Sequence, residues 1–131
     1  MKKLFKKILD WFRRHHMYVI ADGSDNSITL SRALFHHMGG MELEQAKVFA
    51  FYIPDDNTYG FILNPQFEQE TQLADIQYNE KYKSIGFPML NPSVARMFYD
   101  YQMPALIKAK LNVKAKTAGE ITYYEICPPT R

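Results

Sequence analysis

The sequence predicts an α+β fold: a mainly antiparallel sheet of about six to seven strands built from hairpins, two core helices, and an N-terminal basic amphipathic helix. Three observations point there. Short runs rich in Val, Ile, Phe and Tyr are separated by turn clusters such as PDDN and TAGE. Two longer stretches, 27–38 and 91–103, carry apolar residues at helical spacing. Strand-like runs follow one another directly, without the repeated strand–helix–strand alternation that makes a parallel sheet.

The elements follow in chain order. On a helical wheel, Leu4, Phe5, Ile8, Leu9, Trp11 and Phe12 fall within roughly 160° of arc, opposite Lys2, Lys3, Lys6, Lys7, Asp10, Arg13 and Arg14. His15 and His16 would land back on the apolar side, so this helix is expected to stop there. MYVIAD (17–22) reads as a buried strand. GSDNS is a turn cluster, and Ser27 to Met38 reads as a helix with Leu30, Ala33, Leu34, His37 and Met38 on one face, ended by Gly39-Gly40. KVFAFYIP (47–54), apolar on both faces, reads as a central strand that pairs with YGFIL across the turn PDDN. ADIQYN and YKSIGF make a further hairpin. Asn91-Pro92 reads as cap and first helical position of a helix through Met103, with Val94, Met97, Phe98 and Tyr101 inward. ALIKAKLNVKAK and EITYYEIC form the last hairpin.

Composition sets the class. The 131 residues, 47% hydrophobic and 23% charged, suit one soluble globular domain with a sizeable core and argue against disorder. The expected organisation is a basic helix over 1–16, appended to or packed on the body, and a single α+β domain over 17–131. Cys127 is the only cysteine, which excludes internal disulfides and multi-cysteine metal motifs and points to a cytoplasmic setting. Lys6 and Lys7 interrupt what would be the apolar part of a secretory signal, and no apolar run reaches the ~18 residues of a membrane span.

The net charge of +2 hides an asymmetry. Residues 1–16 carry six Lys/Arg against one Asp, residues 17–104 five against eleven Asp/Glu, and residues 105–131 five against two. Basic ends on an acidic middle do not describe a uniformly basic nucleic-acid binder.

No catalytic pattern of high specificity emerges. His36 and His37 lack the i,i+4 spacing of metal ligands, and Asp22 and Asp25 sit at the opposite end of the expected helix, roughly 15 Å away. A small metal-assisted hydrolase built on Asp22, Asp25, His36 or His37 is therefore the last of the alternatives. DGSDNS fails as a calcium loop, because Ser27 and Ala33 stand where glycine and an acid belong. There is no GxSxG elbow, and Cys127 reads as a small buried apolar residue. Lys47, Phe49, Ala50 and Phe51 meet half of an RNA-binding sheet motif whose glycine, valine and final aromatic are missing.

Two surfaces stand out. Lys108, Lys110, Lys114 and Lys116 alternate with Ala109, Leu111, Val113 and Ala115, so period-two geometry places all four lysines on one solvent face, about 6.6–7 Å apart between neighbours. They suit an acidic partner or a phosphate backbone, and equally the blunting of a sheet edge. The apolar face of the first helix suits its own core, a partner groove or an anionic membrane surface. The expectation is a binding protein, not an enzyme, with no cofactor. It would engage an acidic protein or its own copies through Leu4, Phe5, Ile8, Leu9, Trp11, Phe12 and the four lysines, with Tyr123 and Tyr124 as aromatic anchors. Nucleic-acid binding through Lys108–Lys116 and peripheral membrane binding through residues 2–14 are the alternatives.

Overall fold

The structure, a computed structural model, describes residues 6, 16–40, 46–65, 73–79, 84–90, 92–103 and 108–129. The expected amphipathic helix over 2–14, with Leu4, Phe5, Ile8, Leu9, Trp11 and Phe12, lies outside the described residues apart from Lys6.

Nine strands make one sheet: β1 (Tyr18–Asp22), β2 (Ser27–Leu30), β3 (Lys47–Ile53), β4 (Thr58–Leu63), β5 (Ala74–Asp75), β6 (Gln77–Asn79), β7 (Ser84–Pro88), β8 (Lys108–Ala118) and β9 (Ile121–Ile126). Among the described residues two short helices accompany them, α1 (Arg32–His37) and α2 (Val94–Asp100). The spatial order is β5-β3-β4-β9-β8-β1-β2-β7-β6, and every neighbouring pair is antiparallel. The hairpin-built antiparallel sheet therefore stands, with nine strands in place of six to seven. β5 and β6, the two end strands, are separated in the chain by Ile76 alone, so the sheet curls into a nearly closed barrel.

β8 joins the two halves of that barrel. Its first part, Lys108–Asn112, pairs with β1, and its second part, Val113–Ala118, pairs with β9. At the handover the Val113 amide donates to the Met17 carbonyl at 2.9 Å, and the Cys127 amide to the Asn112 carbonyl at 2.8 Å. Alternation sends Val19, Ala21, Ile28, Leu111, Val113, Tyr124 and Ile126 inward. Phe61 of β4 meets Phe87 of β7 at 5.1 Å between ring centroids and stacks on Tyr124 at 5.4 Å, so side chains from both halves fill the interior.

The segment expected as one helix over Ser27–Met38 is a strand followed by a helix. Ser27–Leu30 pairs with β1 and with β7, and its alternating burial follows Ile28 and Leu30 inward. Ser31 makes the break. Its Oγ accepts from the Leu34 amide at 3.2 Å as the α1 cap and from the Tyr18 amide at 3.1 Å, so one buried hydroxyl ties the helix start to β1. His37, expected on the inward face, is exposed at the other end of α1, its Nδ1 3.2 Å from the Tyr124 hydroxyl.

α2 also starts later than expected. Ser93, not Asn91, is its cap, with Oγ accepting from the Arg96 amide at 3.1 Å. It stops before Met103: the Met103 amide donates to Phe98 O at 2.7 Å and the Gln102 amide to Tyr99 O at 3.1 Å, the paired bonds of a Schellman motif, with Gln102 at φ 60 in the place glycine usually takes. Asn26, at φ 58 in the β1–β2 turn, holds the start of this helix. Its Oδ1 accepts from the Val94 amide at 2.8 Å, and its Nδ2 donates to the Met89 carbonyl.

Tyr101 fastens the other end of α2 to the barrel. Its hydroxyl accepts from the Tyr59 amide at 2.8 Å and donates to the Ile126 carbonyl, completing the end of the β4–β9 ladder. Tyr101→Phe leaves that buried amide and carbonyl without the hydroxyl between them, and is expected to lower stability by about 2–4 kcal/mol in urea titration. The Tyr59 hydroxyl in turn donates to Asp100, which also pairs with Arg96 at 3.4 Å. Burial, then the Asp100 carboxylate, pushes the Tyr59 phenol up to about 12, and burial pushes Tyr101 up as well. The folded state thus favours the neutral phenols, a contribution complete below the ordinary value of 10.0 and lost as pH climbs through 12. Thermal midpoints followed across that interval should fall, and fall less steeply in Tyr59→Phe.

Candidate functional site

The outer face of the β8-β1-β2-β7-β6 half can be read off the strand registers as transverse rows. One row runs Lys110, Ile20, Thr29, Gly86, Gln77, and the next runs Lys108, Asp22, Ser27, Pro88. Apart from Lys110, these rows line a solvent-open cleft of about 1110 Å³ together with Asp25, Tyr78 and Ser84. Gly86 keeps its floor low. A Cβ there would stand 2.1 Å from the Ile28 carbonyl oxygen, so only glycine permits this approach of β7 to β2.

Asp22 and Asp25 belong to the β1–β2 turn. The Ser24 hydroxyl, at 2.6 Å, and then its amide, at 2.9 Å, hold the Asp22 carboxyl below the usual carboxylate range, with Lys108 across the ladder adding to the effect. Asp25 accepts from the Ser27 hydroxyl at 2.5 Å. His36 and His37, the other members of the hydrolase alternative, do not line this cleft. Among the described residues no group of three His, Cys, Asp or Glu side chains could hold a metal ion.

The four lysines do lie on one face of β8, but each meets a particular partner there. Lys108 stands opposite Asp22. The Lys110 ammonium sits 4.1 Å above the centre of the Tyr18 ring. Lys114 stands opposite Glu125, and the Lys116 ammonium reaches that same carboxylate diagonally at 3.1 Å, with Asp56 at 3.9 Å. Glu125 is only 6% exposed and also accepts from the Thr58 hydroxyl at 3.1 Å. Its carboxylate holds the Lys116 ammonium above the usual lysine range.

The β8–β9 hairpin runs past its neighbours. β4 pairs with β9 no further than Tyr124, and β1 pairs with β8 no further than Asn112. Beyond those points Ala115–Ala118 and Ile121–Tyr123 pair only with each other among the described residues, around a two-residue loop with Gly119 at φ 64. Tyr123 lies on the lysine face, its ring 6.0 Å from Phe51. Tyr124 does not join it, because adjacent strand residues point to opposite faces, and Tyr124 is a core residue. Cys127 is half-buried, and burial pushes its thiol up, away from the reactive thiolate.

The cleft residues Ile20, Thr29, Gln77, Tyr78 and Gly86 escaped the sequence reading. Their signal, the alternation of Ser27 and Thr29 with Ile28 and Leu30, was masked by the helical spacing that continues through Met38.

The Lys116–Glu125 contact makes a separable prediction. Lys116→Met should lower the thermal midpoint by leaving a buried carboxylate with Thr58 as its remaining side-chain partner, and adding Glu125→Gln to the same chain should restore most of the loss. Family models, curated proteins and solved structures were each compared with the chain, and none matches it.

Proposed function

We propose that the protein is a non-catalytic binding protein whose β8–β9 hairpin engages an acidic partner protein. The supporting observation is the hairpin itself, which carries exposed Lys114 on the same face as Tyr123, with exposed Lys110 further back along β8, and a 54% exposed Ile121 at a tip that extends past the neighbouring ladders. Cations beside an aromatic ring and an exposed aliphatic side chain suit a partner segment that alternates carboxylates with apolar residues. The unpaired strand edges of the tip offer main-chain hydrogen bonds to the same segment.

A nucleic acid has less in its favour. A polyphosphate is bound by a run of unneutralised cations, whereas Lys108 faces Asp22, and Lys116 is held by Glu125 with Asp56 beside it. The membrane alternative depends on residues 2–14, and no helix among the described residues is long and apolar enough to cross a membrane.

Fluorescence anisotropy with a labelled poly-L-glutamate and a labelled oligothymidylate of matched charge separates these readings. Polyglutamate should bind at low salt, and Lys110→Glu and Lys114→Glu should each weaken it about twofold to fivefold. Tighter binding of thymidylate, with a salt dependence that drops by about one slope unit per lysine removed, would transfer the surface to nucleic acid. Absence of polyglutamate binding at low salt would reject an acidic partner.

A further inference from the structure

Exposed large apolar side chains are unevenly spread over this barrel. Among the described residues they are Tyr52, Tyr78, Leu90, Tyr99 and Ile121, and three of these five gather around α2. Tyr52, at 42% exposure, and Leu90, at 44%, line a groove of about 560 Å³ together with Pro92, Arg96 and Asp100. The Tyr52 ring is steadied from both sides. It packs at 5.1 Å between centroids against the buried ring of Tyr59, and its hydroxyl donates to Asn57 at 2.7 Å. Tyr99, 72% exposed, stands three positions along α2 from Arg96 and carries the apolar surface across the helix. An apolar patch rimmed by charged groups is the mark of a surface that another segment covers.

Charge narrows the occupant. α2 spans one end of the barrel, from Asn26 in the β1–β2 turn to Tyr59 and Ile126 at the end of the β4–β9 ladder. The β1–β2 turn there carries Asp22 and Asp25, the β3–β4 turn carries Asp55 and Asp56, and α2 adds Asp100. Against these five acids stand Arg96, which pairs with Asp100, Lys108, which faces Asp22, and Lys116, which reaches Asp56. Asp25 and Asp55 are exposed with no ion-pair contact among the described residues. This end of the molecule is therefore apolar with an acidic rim. The sequence holds a segment of the opposite character: residues 2–14 combine the stripe Leu4, Phe5, Ile8, Leu9, Trp11, Phe12 with six Lys/Arg against one Asp. Such a helix lays its stripe in an apolar groove and its cations on an acidic rim. The chain enters β1 at Tyr18, at the far end of that strand from the Asp22 turn and α2. Entry at one end and an acidic apolar groove at the other suit a head-to-tail contact between copies.

We propose that residues 2–14 of one copy dock as an amphipathic helix on the groove beside α2 of a second copy, with Tyr52, Leu90 and Tyr99 as the apolar contacts and Asp55 and Asp100 as the acidic rim.

Sedimentation velocity of the full chain tests this. The weight-average sedimentation coefficient should rise with concentration between about 10 and 500 μM. Ile8→Asp interrupts the apolar stripe, and Tyr99→Asp changes an exposed position outside the core; each should weaken association about tenfold or more. Asp55→Lys, in an exposed turn, should weaken it about twofold to fivefold. An equimolar mixture of the Ile8→Asp and Tyr99→Asp chains should associate more strongly than either alone, because the first keeps an intact groove and the second an intact segment. Lys114→Glu, which lowers polyglutamate binding, should leave self-association unchanged, so the groove and the hairpin succeed or fail separately. Four results would each overturn the proposal: a wild-type chain that stays monomeric throughout; wild-type association in Tyr99→Asp, which puts the contact elsewhere; a mixture no stronger than its components, which puts each segment on its own copy; or loss of association in Lys114→Glu.

Discussion

One residue, Ile76, forces the shape of this molecule. It alone separates β5 from β6, and those two strands stand at opposite ends of the sheet order. Laid flat, nine strands would put the end strands about 38 Å apart. The chain from Asp75 to Gln77 can reach about 7 Å. Only a sheet rolled upon itself satisfies both conditions. Ile76 is buried, and its amide donates to the Ala46 carbonyl at 3.3 Å, so the link is tied to the start of β3 as well as to both end strands. The interior created by rolling is narrow. Alanines at 21 and 50 make room there for Phe61 and Phe87, which meet from opposite halves of the barrel.

β8 distributes the consequences of that closure. Its even-numbered residues face outward along its whole length, while its pairing partner changes from β1 to β9 at Asn112–Val113. The same parity therefore places Lys108 at the rim of the cleft and Lys114 and Lys116 on the projecting hairpin. A lysine ladder that looks uniform in sequence becomes two surfaces with different neighbours. One end faces Asp22 across the ladder and the other is paired with Glu125 and Asp56, while Lys110 and Lys114 are exposed with no ion-pair contact among the described residues, as is Lys108. Cross-strand pairing, not the count of lysines, determines what charge this face presents.

Much of the barrel is legible from local pattern. β1, β3, β4, β8, β9 and the β6–β7 hairpin follow from β-branched and aromatic runs bounded by turn residues, and the buried face of α2 follows from the spacing of Val94, Met97, Phe98 and Tyr101. Ser27–Leu30 was not legible, since Ile28, Leu30 and Leu34 satisfy neither period alone and the apolar positions downstream favoured a helix. What decided it was tertiary: β1 on one side and β7 on the other supply ladders that a helix would forgo. Closure was hidden for the same reason, because β5 is two residues long and gains its identity only by pairing with Lys47 and Val48. At Tyr123-Tyr124 the information was present and misapplied, since period-two alternation already assigns the two rings to opposite faces.

The two helices show how a β-dominated chain sustains segments that could not be helical alone. Six and seven residues are well below the length at which an isolated helix persists in water. Each is instead held at its ends by single polar groups that belong to the barrel's own ladders. Ser31 caps α1 while accepting from β1, Asn26 receives the first amide of α2 from the β1–β2 turn, and Tyr101 closes the β4–β9 ladder with its hydroxyl. Polar residues at these positions are therefore accounted for by folding. Thr29, Gln77 and Ser84, left on the outer face by alternation, make no side-chain hydrogen bond among the described residues. Function is more economically sought among exposed side chains of this kind than among the caps, because a side chain without such a bond is free to be shaped by what it binds.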